Sequence, residues 1–242
     1  MQLYLENSST DPYMNMAVEE FLFHHFTEPV FHVWQNEPTV VIGRNQLPEA
    51  EVNLDYILKN DIKLVRRFSG GGAVYQDLGN INLTFFNSAG NLDFDFNNQR
   101  IMNFLASLNL HPTTNERRAL FIDNMKISGS AQHIRGQRVI YHATLLFSSN
   151  LESLQHSLQG KNFPALSSRY VKSVKSPVTN LSDYFPSYFT IRDFKEKIIR
   201  YFTRPTSLKI TFSKEESEKI KALKESKYVN SDWNYSGIYK IL

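Results

Sequence analysis

Cysteine is absent from all 242 residues. Disulfides, thiolate metal sites and cysteine nucleophiles are therefore excluded. No run approaches the roughly 18 consecutive apolar residues of a membrane span. The start, MQLYLENSSTDPYMN, lacks the basic and then apolar segments of a secretory signal. The expected location is cytoplasmic. Neither sign of charge dominates, with 27 Lys and Arg against 24 Asp and Glu and a formal net charge of +3. Without a dense basic tract interleaved with aromatics, nucleic-acid binding is not expected. The seven histidines show no metal-ligand spacing, so no metal site is assigned. Core-forming residues are plentiful, at 41% hydrophobic and 13% aromatic, and argue for a folded globular chain. The length fits one large domain or two small ones.

Glycine is also sparse, with ten residues, yet three stand together in Arg66-Arg67-Phe68-Ser69-Gly70-Gly71-Gly72-Ala73-Val74-Tyr75. A glycine run admits positive φ and close approach of backbone to a ligand. Adjacent guanidinium groups suit phosphate or carboxylate. The stretch is either an anion cradle or a glycine-rich turn.

Around it the pattern alternates strands and helices. Asp11 and Pro12 suit an N-cap and first helical position, and Met14, Ala17, Val18, Phe21 and Leu22 recur at helical spacing. Residues 31–34 and 39–42 read as a hairpin, 48–58 as a helix, and 62–65 as a strand. Residues 73–75 and 80–86 read as strands joined at Asp77-Leu78-Gly79, with Asn82 and Thr84 facing away from Ile81, Leu83 and Phe85. A helix over 96–108 precedes strands at 119–122, 126–130 and 138–146. Further helices are expected at 151–158, 191–202 and 214–226, a strand at 208–212, and an irregular functional or mobile loop over 160–181. Hairpin-length connections suggest α+β with mixed, largely antiparallel sheets flanked by helices.

RRFSGGGAVYQDLGN resembles the signature of the lipoate–protein ligase A family, and DNMKISGSAQ (Asp123 to Gln132) resembles that family's lysine motif. DPYMNMAVEE, VWQNEPTVVIGRNQ, YHATLLF and SVKSPVTNL resemble its other blocks in order and spacing. The resemblance covers nearly the whole chain. It implies a biotin/lipoyl-ligase-like, class II synthetase-like catalytic domain over residues 1–242. An accessory C-terminal domain carried by longer members is expected to be absent. The implied reaction activates lipoate with ATP to lipoyl-AMP. The lipoyl group then passes to a lysine of apo lipoyl domains of 2-oxoacid dehydrogenase E2 subunits or of glycine cleavage H protein. Mg2+ would arrive with the nucleotide, and a separate accessory ligase subunit is a further partner the resemblance allows.

Site residues follow from the same blocks. Lys126 is an ordinary strand-end lysine or, beside the small residues Ser128, Gly129, Ser130 and Ala131, a ligand-facing cation. The resemblance makes it the catalytic residue, holding acyl carboxylate and α-phosphate. It places nucleotide contacts at Arg67, Gly72, Ala73, Val74 and Tyr75, and lipoate contacts at Ser69, Gly70, Gly71, His142 and Ala143. Arg66 is expected to support the loop, and His142 to position rather than act as a base. Glu19 and Glu20, on a helix face, are read as solvated. The family's Arg-Asn-Asp run before its lysine aligns best with Arg117-Arg118-Ala119, which loses a carboxylate near the phosphates unless Asp123 or Glu116 compensates. A transferase using preformed lipoyl-AMP, an ATP-independent octanoyl or lipoyl transferase, and a binding-only protein stay open as alternatives.

Overall fold

The computed structural model describes residues 2–88, 95–161 and 170–238. In chain order the strands are β1 (Leu3–Glu6), β2 (Val30–Trp34), β3 (Thr39–Ile42), β4 (Lys63–Arg66), β5 (Val74–Gln76), β6 (Asn80–Ser88), β7 (Thr113–Thr114), β8 (Leu120–Ile122), β9 (Met125–Arg135), β10 (Arg138–Leu146) and β11 (Leu208–Lys209). The helices are α1 (Pro12–His25), α2 (Pro48–Glu51), α3 (Leu54–Lys59), α4 (Phe96–Ala106), α5 (Leu151–Ser157), α6 (Ile191–Phe202) and α7 (Lys214–Leu223). An eight-stranded sheet runs β11-β1-β2-β6-β10-β9-β8-β7, and a three-stranded sheet runs β4-β3-β5. Parallel pairs occur at β11-β1-β2 and β3-β4, and the remaining pairs are antiparallel. The expected mixed, largely antiparallel α+β class is the one observed.

Two expected hairpins do not form. β2 and β3 belong to different sheets, as do β5 and β6. Every residue of β2 and β3 is buried, because each is an inner strand covered on both faces. Asn36 steers the crossing by bonding Asn15 and Gln76 across the gap. At the second crossing Asp77 accepts from Gly79 N at 2.8 Å, while Asn80 accepts from Asp77 N at 2.7 Å. The helix expected over 48–58 is split in two. Asn53 caps Tyr56 N at 3.1 Å and starts α3 afresh. The strand from Lys126 runs on to Arg135, the strand at 208–212 shortens to two paired residues, and β1 had no anticipated counterpart. Of the loop expected over 160–181, residues 162–169 lie outside the described residues.

The large sheet divides two cores. One face packs Phe31, Leu83, Phe85 and Tyr141 against Ile101 and Phe104 of α4 and Phe194 and Phe202 of α6. Each such buried ring contributes about 1.5–3 kcal/mol. The other face meets α1 and the small sheet through Trp34, Phe86, Val41, Val65 and Phe68. On that second face polar side chains stand in register across β2, β6 and β10. His32 pairs with Thr84 and Thr84 with His142, while Trp34 pairs with Asn82 and Asn82 with Thr144.

Arg66 ends β4 and is 2% exposed. Its guanidinium donates to the carbonyls of Gly43, Arg44, Gln46, Trp233, Asn234 and Tyr235 at 2.7–3.1 Å. Burial lowers its pKa to about 10, so it stays charged at neutral pH. Its own backbone is held by Asn234 Oδ1 and Trp233 Nε1. One cation thus fastens the C-terminal turns to the loop after β3.

Two outcomes follow. Arg66→Lys keeps the charge but has three donors for six carbonyls. It should lower unfolding free energy in urea by more than about 3 kcal/mol, whereas a loss under about 1 kcal/mol would remove Arg66 from the set of structural fasteners. His32 is fully buried, and neither ring nitrogen has a partner among the described residues. Burial, partly offset by the Glu19 carboxylate, lowers its pKa from 6.5 to about 4. Within that window the unfolded chain binds a proton that the native state refuses, so stability falls as pH drops. From about pH 7 to about pH 4, His32→Phe should lose about 3 kcal/mol less stability than the parent. Parallel pH–stability curves would show that His32 titrates normally.

Candidate active site

The segment between β4 and β5 is shaped by close backbone approach. Gly71 has φ +95°, and a Cβ on Gly43 would lie 2.1 Å from the Gly71 carbonyl oxygen. Arg67 turns inward beneath it and donates to Gly70 O at 2.6 and 3.1 Å, to Gly72 O at 2.9 Å and to Val41 O at 3.3 Å. Burial lowers its pKa to about 10, against a small opposing pull from Glu19. Arg67 lines the cavity described next, but most of its donors are spent on the loop's own carbonyls. It is a staple of the cradle more than the phosphate clamp expected from sequence.

Two adjoining cavities open here, of about 260 and 860 Å³. Lys126, Ala73, Val74, Gly129 and Thr144 line both, so they mark the junction. Lys126 follows a two-residue turn in which Asp123 and Asn124 take φ of 50° and 62°. Its backbone is pinned by Lys126 N to Pro177 O at 2.8 Å and Thr179 N to Lys126 O at 3.2 Å. Its ammonium has no hydrogen-bond or ion-pair partner among the described residues. Burial and then the Arg117 charge lower its pKa. An unpaired, mostly buried cation is costly until an anion arrives.

The smaller cavity also takes Arg67, Gly71, Gly72 and His142, and the larger one Tyr75. Three expected lipoate contacts do not line either cavity. Ala143 sits one residue from His142 and Thr144 and so points to the opposite face, into the core with Leu83 and Ile127. Gly70 spends its carbonyl on Arg67. Ser69 is wholly buried and reaches the site only through His142, whose Nε2 lies 2.8 Å from Ser69 Oγ.

Glu19 corrects the sequence reading. It is 1% exposed, not solvated, and lines the smaller cavity. Its Oε1 accepts from Thr84 Oγ1 and lies 3.2 Å from His142 Nδ1. Burial raises its pKa, but His142 and Thr84 outweigh that and hold the carboxyl below its ordinary value. With Glu19 ionised, His142 donates to it through Nδ1, while Nε2 completes the contact with Ser69. Glu20 is likewise engaged, by Lys227 at 2.7 and 2.8 Å and Tyr228 at 2.6 Å. The available signal was the buried apolar sequence on both sides of Glu19, which marks a helix covered almost all round. Trp34, Gln76, Asn82 and Thr144 also line the smaller cavity and were not anticipated there. Their signal was alternation of polar residues in strands buried on both faces.

At the position expected to lose a carboxylate, Ala119 lines the smaller cavity. Asn115 Oδ1 accepts from Arg117 N and Ala119 N, each at 3.1 Å, and shapes this corner. Arg118 turns away to Asp95 at 2.6 Å. Asp123 and Glu116 do not line either cavity, so neither replaces the missing group. Among the described residues no cluster of three or more His, Cys, Asp and Glu could hold a metal. Nor is any described helix long and apolar enough to cross a membrane.

Comparison with known proteins agrees with this geometry. Residues 11–203 match the family model of the lipoyl protein ligase A/B catalytic domain. The lipoate-protein ligase LplJ of Bacillus subtilis is 31% identical over 96% of this chain and 73% of its own length. Lipoate–protein ligase 1 of Staphylococcus aureus is 33% identical over 97% of this chain and 73% of its own. Among solved structures, lipoate-protein ligase A bound with ATP is 26% identical with a TM-score of 0.80, covering 98% of both chains. A bipartite lipoate protein ligase from Thermoplasma acidophilum, studied with its E2 lipoyl domain, is 27% identical with a TM-score of 0.81, covering 100% of this chain and 98% of that one. With the glycine cradle, the junction lysine and these similarities over nearly all of this sequence together, the chain belongs to the lipoyl protein ligase A/B catalytic domain family.

Proposed function

We propose that this protein is a lipoate–protein ligase whose single catalytic domain joins lipoate and ATP to form lipoyl-AMP and pyrophosphate. It then passes the lipoyl group to a lysine ε-amine of an acceptor protein. The observation that carries the reading is Lys126, a half-buried cation without a partner among the described residues at the junction of two cavities. An acyl chain in the smaller cavity and a nucleotide in the larger one would meet there. The mixed anhydride would form where Lys126 offsets charge on both the α-phosphate and the carbonyl oxygen. Holding both reactants in line supplies much of the rate.

Backbone of Ala73 to Tyr75 would border the nucleotide, while Gly71, Gly72, His142, Glu19 and Trp34 would border the acyl chain. Glu19 is the one carboxylate on the smaller cavity's wall among the described residues, and it is committed to His142 and Thr84. A magnesium ion would accordingly be held by the nucleotide's phosphates and water. The acceptors fitting this chemistry are apo lipoyl domains of E2 subunits and H protein, in the cytoplasm where ATP is available. The bipartite relative supports a separate accessory subunit as a further partner. Ala119 favours one second reading, a transferase that takes lipoyl-AMP made elsewhere.

Mass detection of an apo lipoyl domain separates these readings. One reaction holds lipoate with Mg-ATP and another holds preformed lipoyl-AMP. Modification in both marks a self-sufficient ligase. Modification with lipoyl-AMP alone marks the transferase, and modification in neither leaves a binding-only protein or another donor. Lys126→Ala should abolish lipoyl-AMP formation while lipoyl-domain binding persists. Undiminished adenylation in that variant would sink the assignment.

A further inference from the structure

A line of buried carboxamides runs from the start of α1 to the smaller cavity, and backbone groups fix its direction. Asn15 Nδ2 donates to the carbonyls of Ser9 at 3.1 Å and Gln35 at 2.9 Å, which can only accept. The Asn36 atom facing the same nitrogen at 2.8 Å is therefore the oxygen Oδ1, and the three acceptors share its two hydrogens. Asn36 Nδ2 in turn donates to Gln76 Oε1 at 2.7 Å, and Gln76 Nε2 to Asn82 Oδ1 at 2.8 Å. Each link assigns the oxygen and nitrogen of the next amide. Reversing Asn82 would set two nitrogens face to face.

Asn82 Oδ1 also accepts from Thr144 Oγ1 at 2.8 Å and Asn80 Nδ2 at 3.3 Å. The residue is 1% exposed and lines the cavity, yet its Nδ2 has no acceptor among the described residues. Leaving a buried donor unmet costs about 1–3 kcal/mol. Bonds to the carbonyl end of an amide polarise it and strengthen the N–H at the other end. The relay thus delivers a strong donor that the described residues do not satisfy.

Its place in the sheet suggests the missing acceptor. Asn82 is in register with Thr144, and Thr144 with Gly129. A Cβ on Gly129 would lie 3.7 Å from Lys126 Nζ. Asn82 therefore stands two strands from Gly129, roughly 10 Å between backbones, on the acyl side of the junction. Resting on the ligase reading above, we propose that Asn82 Nδ2 donates to the acyl oxygen, opposite Lys126. That oxygen is first the lipoate carboxylate and then the carbonyl of lipoyl-AMP. When the acceptor amine adds, an N–C bond forms and the carbonyl electron pair moves onto this oxygen, where the Asn82 N–H meets it. The C–O bond to phosphate then breaks, AMP leaves with that electron pair, and the amine gives its proton to solvent.

Asn82→Ala and Asn82→Ser test the assignment, the serine retaining an acceptor for Gln76. Removing an oxyanion donor lowers kcat by about 10²–10³-fold. Both half-reactions should fall by that order, equally for lipoate and octanoate, with KM changed far less. The isotope-edited infrared band of the acyl carbonyl in bound lipoyl-AMP should move to higher frequency in either variant that folds, a shift that a merely structural role would not produce. Parent-like kcat in a folded variant, an unmoved carbonyl band, or a loss confined to lipoate would overturn the role of Asn82 and leave the ligase intact. A parent protein that uses neither ATP with lipoate nor lipoyl-AMP would overturn both.

Discussion

The inward turn of two consecutive arginines is the constraint on which this site depends. Arg66 is enclosed by backbone carbonyls of the loop after β3 and of the C-terminal turns, and Arg67 by carbonyls of the glycine segment itself. Carbonyls converging from several directions suit a planar group with five donors, and an ammonium with three could not meet them. Because the guanidinium groups fix where those carbonyls point, they also fix where the opposite backbone N–H groups point. The glycines then follow as a steric consequence: Gly43 and Gly71 approach too closely for a side chain.

On this frame the large sheet has two chemically different faces. One is the aromatic core under α4 and α6. The other carries His32, Trp34, Asn82, Thr84, His142 and Thr144, and it is where the cavity forms. Buried polar groups are tolerable only when paired, and most of these are: Glu19 with His142 and Thr84, Gln76 with Asn36 and Asn82. The exceptions inform most. Beside His32, Lys126 and the Asn82 amide nitrogen are left without partners among the described residues, and these two stand where the cavity approaches β6, β9 and β10. Folding bears the cost of those groups, and a ligand bringing negative oxygen would remove it. Part of the binding free energy is therefore built into the site by folding, and a bound anion would also raise the depressed pKa of Lys126.

Much of this was legible in the residues. The glycine run, the tight turn before Lys126, the Asp11 cap and the strand through His142 are local signals, and local signals survive folding. What failed depended on distant partners. β2 and β3 look like a hairpin because they are adjacent strands, and nothing local says that they join different sheets. Ala143 shared a motif with His142, but strand alternation sends neighbours to opposite faces. Glu19 looked solvated because glutamate on a helix usually is. Its burial requires His142, more than a hundred residues away, to stand opposite. The amide relay is the extreme case, since Asn15, Asn36, Gln76 and Asn82 have no common spacing and become one object only in three dimensions.

The charge balance of the cavity bears on which half of the reaction is more exposed to failure. Its wall offers Lys126, Arg117 and Lys172 as cations unpaired among the described residues, with Ala119 where a carboxylate was expected. Lipoyl-AMP retains a single phosphate group, so these cations and the neutral donors around them go far toward balancing it. ATP and lipoate together bring several negative charges into the same space, and like charges at contact distance repel strongly in a partly desolvated cavity. Activation must therefore draw on positive charge beyond what the wall supplies, whereas transfer need not. The same wall can thus be well matched to the intermediate while being poorly matched to the substrates that make it.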